Sequence, residues 1–240
     1  MSRRWKTLVP CVSVLLALAG CGAPPGPAPR GFAPRYEEPA AADAAHARFL
    51  RARRLPERAA DALNAYLDLP YQVTVLARSC AGEGSGYDPE TRRIELCYDD
   101  LTQERELVTT DEEVADVMTE TLYHEAGHAL VDVLDLPYGG DRAEEDAADR
   151  FAALMLIREG PDGERALRTA AEAYARTPPD PDDGRDEHAP PAARAAAHLC
   201  LLHGAAPERH ADLADRTRGC TPTWPQARDA WTHDLAPLLR

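Results

Sequence analysis

One stretch limits the fold more than any other. Thr110 is followed three residues later by Glu113, a capping box that opens a helix expected from about Asp111 to Leu134. Val114, Val117, Met118, Thr121 and Leu122 recur at helical spacing and trace its buried stripe. Within it the chain reads His124-Glu125-Ala126-Gly127-His128. Residues four apart on a helix differ by about 40° around the axis, so both imidazoles project from one face, about a turn apart. Any fold for this chain must bury a long helix and still leave that face usable.

Two imidazoles so placed can share one Zn²⁺. Glu125, one step around the helix, can reach a water at the metal without being a ligand. A tetrahedral catalytic zinc takes a third protein group and keeps one corner open. The next helix, expected from about Arg142 to Arg158, supplies it: Glu145 and Asp149 are four apart and share a face. Glu145 completes the ligand set with His124 and His128. Asp149 takes the hydrogen bond of a ligand histidine's other nitrogen. Leu136-Pro-Tyr-Gly-Gly-Asp141 is the turn that folds this helix back on the first. Glu144 and Asp146 are expected only to complement a helix N-terminus.

The rest of the chain reads as mainly α, in the α+β class. Ala40 to Leu67 is one or two helices. Tyr71–Arg78 and Arg92–Tyr98 alternate, with Gly-rich turn residues between them, and are expected to form one β-hairpin. Pro161-Asp-Gly163 reads as a turn before a helix over Glu164–Arg176, and Thr177–Pro191 as a loop. Helices are expected near Ala192–His203, Pro207–Asp215 and Pro225–Leu239, with Trp224 and Trp231 packing the last into the core. His46, His198, His203, His210 and His233 are read as structural or solvent-facing.

The N-terminus carries an address. Arg3, Arg4 and Lys6 precede a short apolar run from Leu8 to Ala19, the pattern of a secretory signal and too short for a membrane anchor. Leu18-Ala19-Gly20-Cys21 resembles the bacterial lipobox, which implies cleavage before Cys21 and lipid on its sulfur. Residues 1–20 form the lipoprotein signal peptide, residues 21–39 a Pro/Gly-rich tether, and residues 40–240 the folded domain. The expected location is the cell envelope, with the membrane reached through the lipid at Cys21. Loss of the signal takes three cations and no anions, moving the net charge from −14 to −17. So acidic a chain is a poor nucleic-acid partner, and the acyl chains rather than electrostatics must hold it to anionic lipid. Export also favours disulfides. Cys80, Cys97, Cys200 and Cys220 allow three pairings, of which Cys80–Cys97 and Cys200–Cys220 are local and close short loops.

With these residues in view, His124-Glu125-x-x-His128 and Glu145-x-x-x-Asp149 resemble the gluzincin metallopeptidases. More closely, Cys80 to Cys220 is similar to a bacterial family of metallopeptidases whose reaction and substrate are themselves inferred. The matching pieces are Tyr87–Cys97, Tyr123–Pro137, Glu144–Asp149, Asp186-Glu-His188 and Arg194. The resemblance implies a zincin-like helical domain that cleaves a peptide or protein substrate. Glu125 would be the general base. His188 is the first candidate for a catalytic residue stabilising the oxyanion, and Tyr138 the second. The competing readings are a non-catalytic zinc-containing envelope module and a zinc hydrolase acting on a cell-wall amide.

Overall fold

The computed structural model describes residues 28–179 and 188–240. Its centre is the capped helix α4 (Asp111–Leu134), laid between a small sheet and the remaining helices. Thr110 Oγ1 accepts from Glu113 N and the Glu113 carboxylate accepts from Thr110 N at 2.8 Å, as the sequence predicts. α4 is buried on nearly every side, including Val114, Met118, Leu122, Tyr123, Ala126 and Leu130, which is how a helix with two polar ligands near its middle remains in place. It ends at Asp135, a residue in the left-handed region (φ 50°).

Helix α5 (Asp141–Arg158) returns along it. Their contact is unusually close at Gly127, where a Cβ would lie 2.8 Å from Ala148 Cα and 3.1 Å from Ala148 Cβ. α6 (Pro161–Arg176), α7 (Pro191–Ala205) and α8 (Trp224–Asp234) complete the helical layer. Trp231 is buried in it, with Nε1 donating to Ala147 O at 2.9 Å and its ring 5.0 Å from that of Phe151. α2 (Leu55–Tyr66) packs on α4 and on the sheet, α1 (Ala44–Arg53) packs on α2, and α3 (Asp100–Leu107) packs on α4 and α6. The mainly α reading therefore holds.

The sheet corrects two expectations. Its strands are β1 (Gly31–Tyr36), β2 (Gln72–Arg78), β3 (Gly86–Asp88) and β4 (Arg93–Cys97), in the order β1-β2-β4-β3. β2 and β4, expected to be the two arms of a hairpin, pair parallel, with Arg78 opposite Cys97. The chain leaving β2 crosses to the far side of the sheet, lays down β3, and only then reverses. The reversal uses Asp88, whose carboxylate accepts from Glu90 N at 2.9 Å, and Arg92 at φ 54°. The connection exceeds the dozen or so residues that a parallel crossover takes. The hairpin present is β3–β4, antiparallel through Tyr87 opposite Ile94.

The tether reading fails over residues 31–36, which form β1 along β2. Pro34 is tolerated because β1 is an edge strand. Asn64 of α2 covers that edge, accepting from Phe32 N and donating to Phe32 O, both at 2.8 Å. Cys21 and the signal segment lie outside the described residues.

Both disulfides have the expected pairing. Cys80–Cys97 joins the C-terminal ends of β2 and β4, and Cys200–Cys220 ties α7 to the segment before α8. Smaller differences concern helix ends. Pro161-Asp-Gly163 is the first turn of α6 rather than a separate turn, Pro being at home at N1. Residues 207–215 form turns and a short 3-10 segment (Ala211–Leu213) rather than a helix. Glu164 of α6 pins that segment by accepting from Arg209 and lying 3.0 Å from His210 Nε2. α8 stops at Asp234, and Leu239 runs on to bridge Leu67.

Candidate metal centre

α4 and α5 together present three side chains to one point. His124 Nε2 is 3.2 Å from His128 Nε2 and 3.0 Å from Glu145 Oε2, and His128 Nε2 is 3.2 Å from Glu145 Oε1. Ligands about 2.0–2.1 Å from a tetrahedral Zn²⁺ stand roughly 3.3 Å from each other, and these separations are of that size, with the Glu145 carboxylate turning Oε2 to His124 and Oε1 to His128. Glu145 Oε2 is buried and has no hydrogen-bond partner in spite of these contacts. A buried carboxylate oxygen left unbonded at the convergence of imidazoles is a donor waiting for a cation. The donor set of nitrogen and oxygen fits a borderline divalent metal.

Both outer ring nitrogens are occupied. Asp149 Oδ1 lies 2.9 Å from His124 Nδ1, as expected from the sequence, and Glu144 Oε1 lies 2.9 Å from His128 Nδ1. Glu144 does lie in the first turn of α5, as read from the sequence, and the second contact gives it a further role that the reading did not include. In an antiparallel helix pair a step of four along α4 is matched by a step of four or five back along α5. The partner of His124 at Asp149 therefore points to a partner of His128 near Glu144. That register was a signal available in the sequence once the turn was recognised.

Behind Asp149 lies a buried polar group that the sequence reading did not assemble. Arg194 of α7 donates to both Asp149 oxygens, at 2.6 and 3.0 Å, and its guanidinium lies over the Tyr174 ring at 4.2 Å. Glu120, wholly buried, lies 2.9 Å from His198 Nε2 and accepts from Tyr174 OH at 3.1 Å. His198 is thus structural, as expected, but through a carboxylate one turn before His124.

His188, expected as an oxyanion donor, is placed within the same cluster. Its Nε2 is 3.0 Å from Glu145 Oε2, its ring stacks on that of His124 at 6.1 Å, and His124, Glu145 and His188 offer ligand atoms within 4.8 Å of one another. It differs from the helix-borne ligands in standing on the approach to α7 with its side chain 37% exposed, against 5% for His124 and 11% for Glu145. Tyr138 does not line the cavity over the cluster. Asp186 lies outside the described residues.

The electrostatics follow from crowding. Burial disfavours the imidazolium of His124, yet the carboxylates of Asp149 and Glu145 beside it outweigh that and lift its pKa to about 10. Burial alone would raise Glu145, but three imidazoles hold it far below the usual carboxylate range. Glu125 is buried with no such bond, and burial pushes its carboxyl up, the direction that makes a carboxylate a better base. A cavity of about 520 Å³ opens over these groups. β3, the outer strand of the sheet, forms one wall through Gly86 and Tyr87, and Asp132, Asp135 and Asp141 lie on its rim. Tyr87 OH donates to Asp132 at 2.7 Å, fixing strand to helix.

A mainly helical domain with a small sheet, carrying a His-Glu-x-x-His helix and a downstream glutamate in one open cavity, defines a metal-dependent hydrolase class. The family model agrees: residues 36–235 match DUF4344, described as "Putative metallopeptidase", and the chain belongs to that family. No curated protein and no solved structure gives a significant match.

Proposed function

We propose that this protein is a zinc-dependent peptidase, gluzincin-like in its ligand set and held to the outside of a bacterial membrane by lipid on Cys21. The observation that carries the reading is the triangle of His124, His128 and Glu145 at 3.0–3.2 Å, with the carboxylate of Glu125 beside it and free of the ligand set. A metal held only for structure has no use for Glu125.

His124, His128 and Glu145 would hold the ion. When bound, Zn²⁺ supplies Lewis acidity, polarising a carbonyl and lowering the pKa of water to about 7. Glu125 takes the proton of the attacking water and passes it to the leaving amine nitrogen. His188 donates its ring N–H to the carbonyl oxygen as negative charge grows there. Gly86 and Tyr87 offer an outer strand beside which an extended peptide can lie by backbone pairing. Asp149 and Glu144 keep both ligand imidazoles in the tautomer with Nε2 turned to the metal.

Zinc content and cleavage of a peptide library, compared for wild type and Glu125→Gln, test this. Retained zinc with cleavage reduced by at least about a hundredfold supports it. Equal cleavage by both proteins overturns the role of Glu125, and zinc with no cleavage by either favours a binding module. His188→Gln separates two roles for that residue: unchanged zinc with lower kcat is the donor role, whereas lost zinc makes it a ligand.

A further inference from the structure

A second cavity of about 230 Å³ lies on the other side of His188, which lines both. It is below the roughly 300 Å³ at which pockets begin to hold a whole small molecule, and suits one side chain. Through His188 it borders the cavity over the metal cluster, where a substrate peptide would lie. Leu107 of α3, Val117 of α4, and Ala170 and Ala173 of α6 give the second cavity an aliphatic wall, and Gln103, Thr121, Tyr174 and Thr177 give it neutral polar groups. Glu104 of α3 supplies a carboxylate, and its Oε2 is buried with no hydrogen-bond partner. Arg194 is the one basic side chain of the described lining apart from His188, and it is committed to both oxygens of Asp149.

We propose that this cavity is a specificity pocket for the positively charged side chain of a lysine or arginine beside the scissile bond, with Glu104 as its charge partner. The proposal rests on the peptidase reading above and deepens it to a substrate class, cationic peptides. The apolar walls receive the methylene stem of such a side chain while its head reaches the carboxylate, the way long cations normally divide themselves between apolar and polar surroundings. Burial, reinforced by Glu120 and Asp100, lifts the pKa of Glu104 to about 7, so an arriving cation relieves a carboxylate that its own surroundings disfavour. The first cavity has the same sign of charge. Asp132, Asp135 and Asp141 face it, no lysine or arginine is among its described lining residues, and the whole chain carries −14. Such a field draws cationic substrates toward the cleft.

Quenched fluorescent peptides that differ only in carrying lysine, norleucine or glutamate on either side of the scissile bond provide the test, using the zinc-loaded protein. At one of the two positions kcat/KM is expected to favour lysine over norleucine by about tenfold or more, the size of a charge-assisted bond. Glu104→Gln, nearly isosteric, should remove most of that ratio, Glu104→Asp should restore part of it, and Glu104→Arg should turn preference toward glutamate. A ratio unchanged in Glu104→Gln overturns the pocket assignment even if cleavage is brisk, and leaves the peptidase reading standing. Binding of the same labelled peptides to Glu125→Gln, followed by fluorescence anisotropy, tests the pocket without turnover. If wild type cleaves nothing yet the lysine peptide binds Glu125→Gln about tenfold more tightly than the norleucine peptide, and Glu104→Gln added to that variant abolishes the difference, the pocket holds and the peptidase reading falls. Equal binding of the two peptides overturns the pocket.

Discussion

His124 and His128 can serve a metal because their outer nitrogens are already taken. Asp149 and Glu144 fix which ring nitrogen faces inward, so the ligands need not be reoriented when an ion arrives. Removing either anchor should weaken zinc by about ten- to a hundredfold, measured by competition with a chelator of known affinity. The two will differ in a second respect. Asp149→Asn also leaves Arg194 buried beside a neutral amide, so it should lower stability by about 3 kcal/mol or more. Glu144 is 38% exposed at its side chain, and Glu144→Gln should leave the melting temperature nearly unchanged. Equal stability losses would remove the distinction. At this scale the sequence was informative where spacing alone fixes direction: four residues on one helix put His124 beside His128, and Glu145 beside Asp149. It was silent where direction depends on how separate helices mesh, which is why Glu120, Tyr174, Arg194 and His198 were not joined.

The helix pair α4–α5 depends on Gly127, which sits between the base and the second histidine. A methyl there would press on the Ala148 backbone at 2.8 Å, and the helices would have to part by a few tenths of an ångström where the ligands meet. Gly127→Ala should therefore cost about 1–3 kcal/mol by overpacking and should also weaken zinc, although alanine favours helices in general. Circular dichroism melts with zinc titration check it; a stabilised protein with full affinity would show that the closeness has no function. The other end of α4 makes a different demand. Its capping box carries Glu113, whose carboxylate is held down at about 2 by hydrogen bonds from Thr109 and Thr110. A carboxyl with a depressed folded pKa contributes stability above its unfolded value near 4.5, and that contribution fades as pH falls toward 2. Thr110→Ala should cost about 1 kcal/mol at pH 7, and the gap from wild type should narrow between about pH 4.5 and 2. These local signals are what made α4 and α5 legible to within a residue or so. The sheet was not, because alternation identifies a strand but says nothing about which neighbour it meets: β2 and β4 alternate as a hairpin would and pair parallel instead.

At the scale of the whole molecule, the groups of the candidate site come from separate regions. α4 and α5 form one layer contact, and His188 stands on the segment leading into α7. β1 joins the sheet in spite of a composition rich in proline and glycine: it pairs along β2, Phe32 is buried in the core, Tyr36 packs against the core and donates to Glu57, and Asn64 covers its outer side. Long-range partners of that kind leave no local trace in the sequence. The disulfides tie segments outside α4 and α5: Cys80–Cys97 binds the sheet's strand ends, and Cys200–Cys220 binds α7 to the chain before α8. Metal and disulfides should therefore stabilise independently. With free zinc a thousandfold above Kd, binding adds about 4 kcal/mol to the folded state, and each disulfide about 3 kcal/mol through restriction of the unfolded chain. Chelation should lower Tm, replacing a cysteine pair should lower it again, and the two shifts expressed as free energies should add to within about 0.5 kcal/mol, as for distant sites. If Tm is the same after chelation as it is at saturating zinc, no ion joins α4 to α5, and the hydrolase reading goes with it.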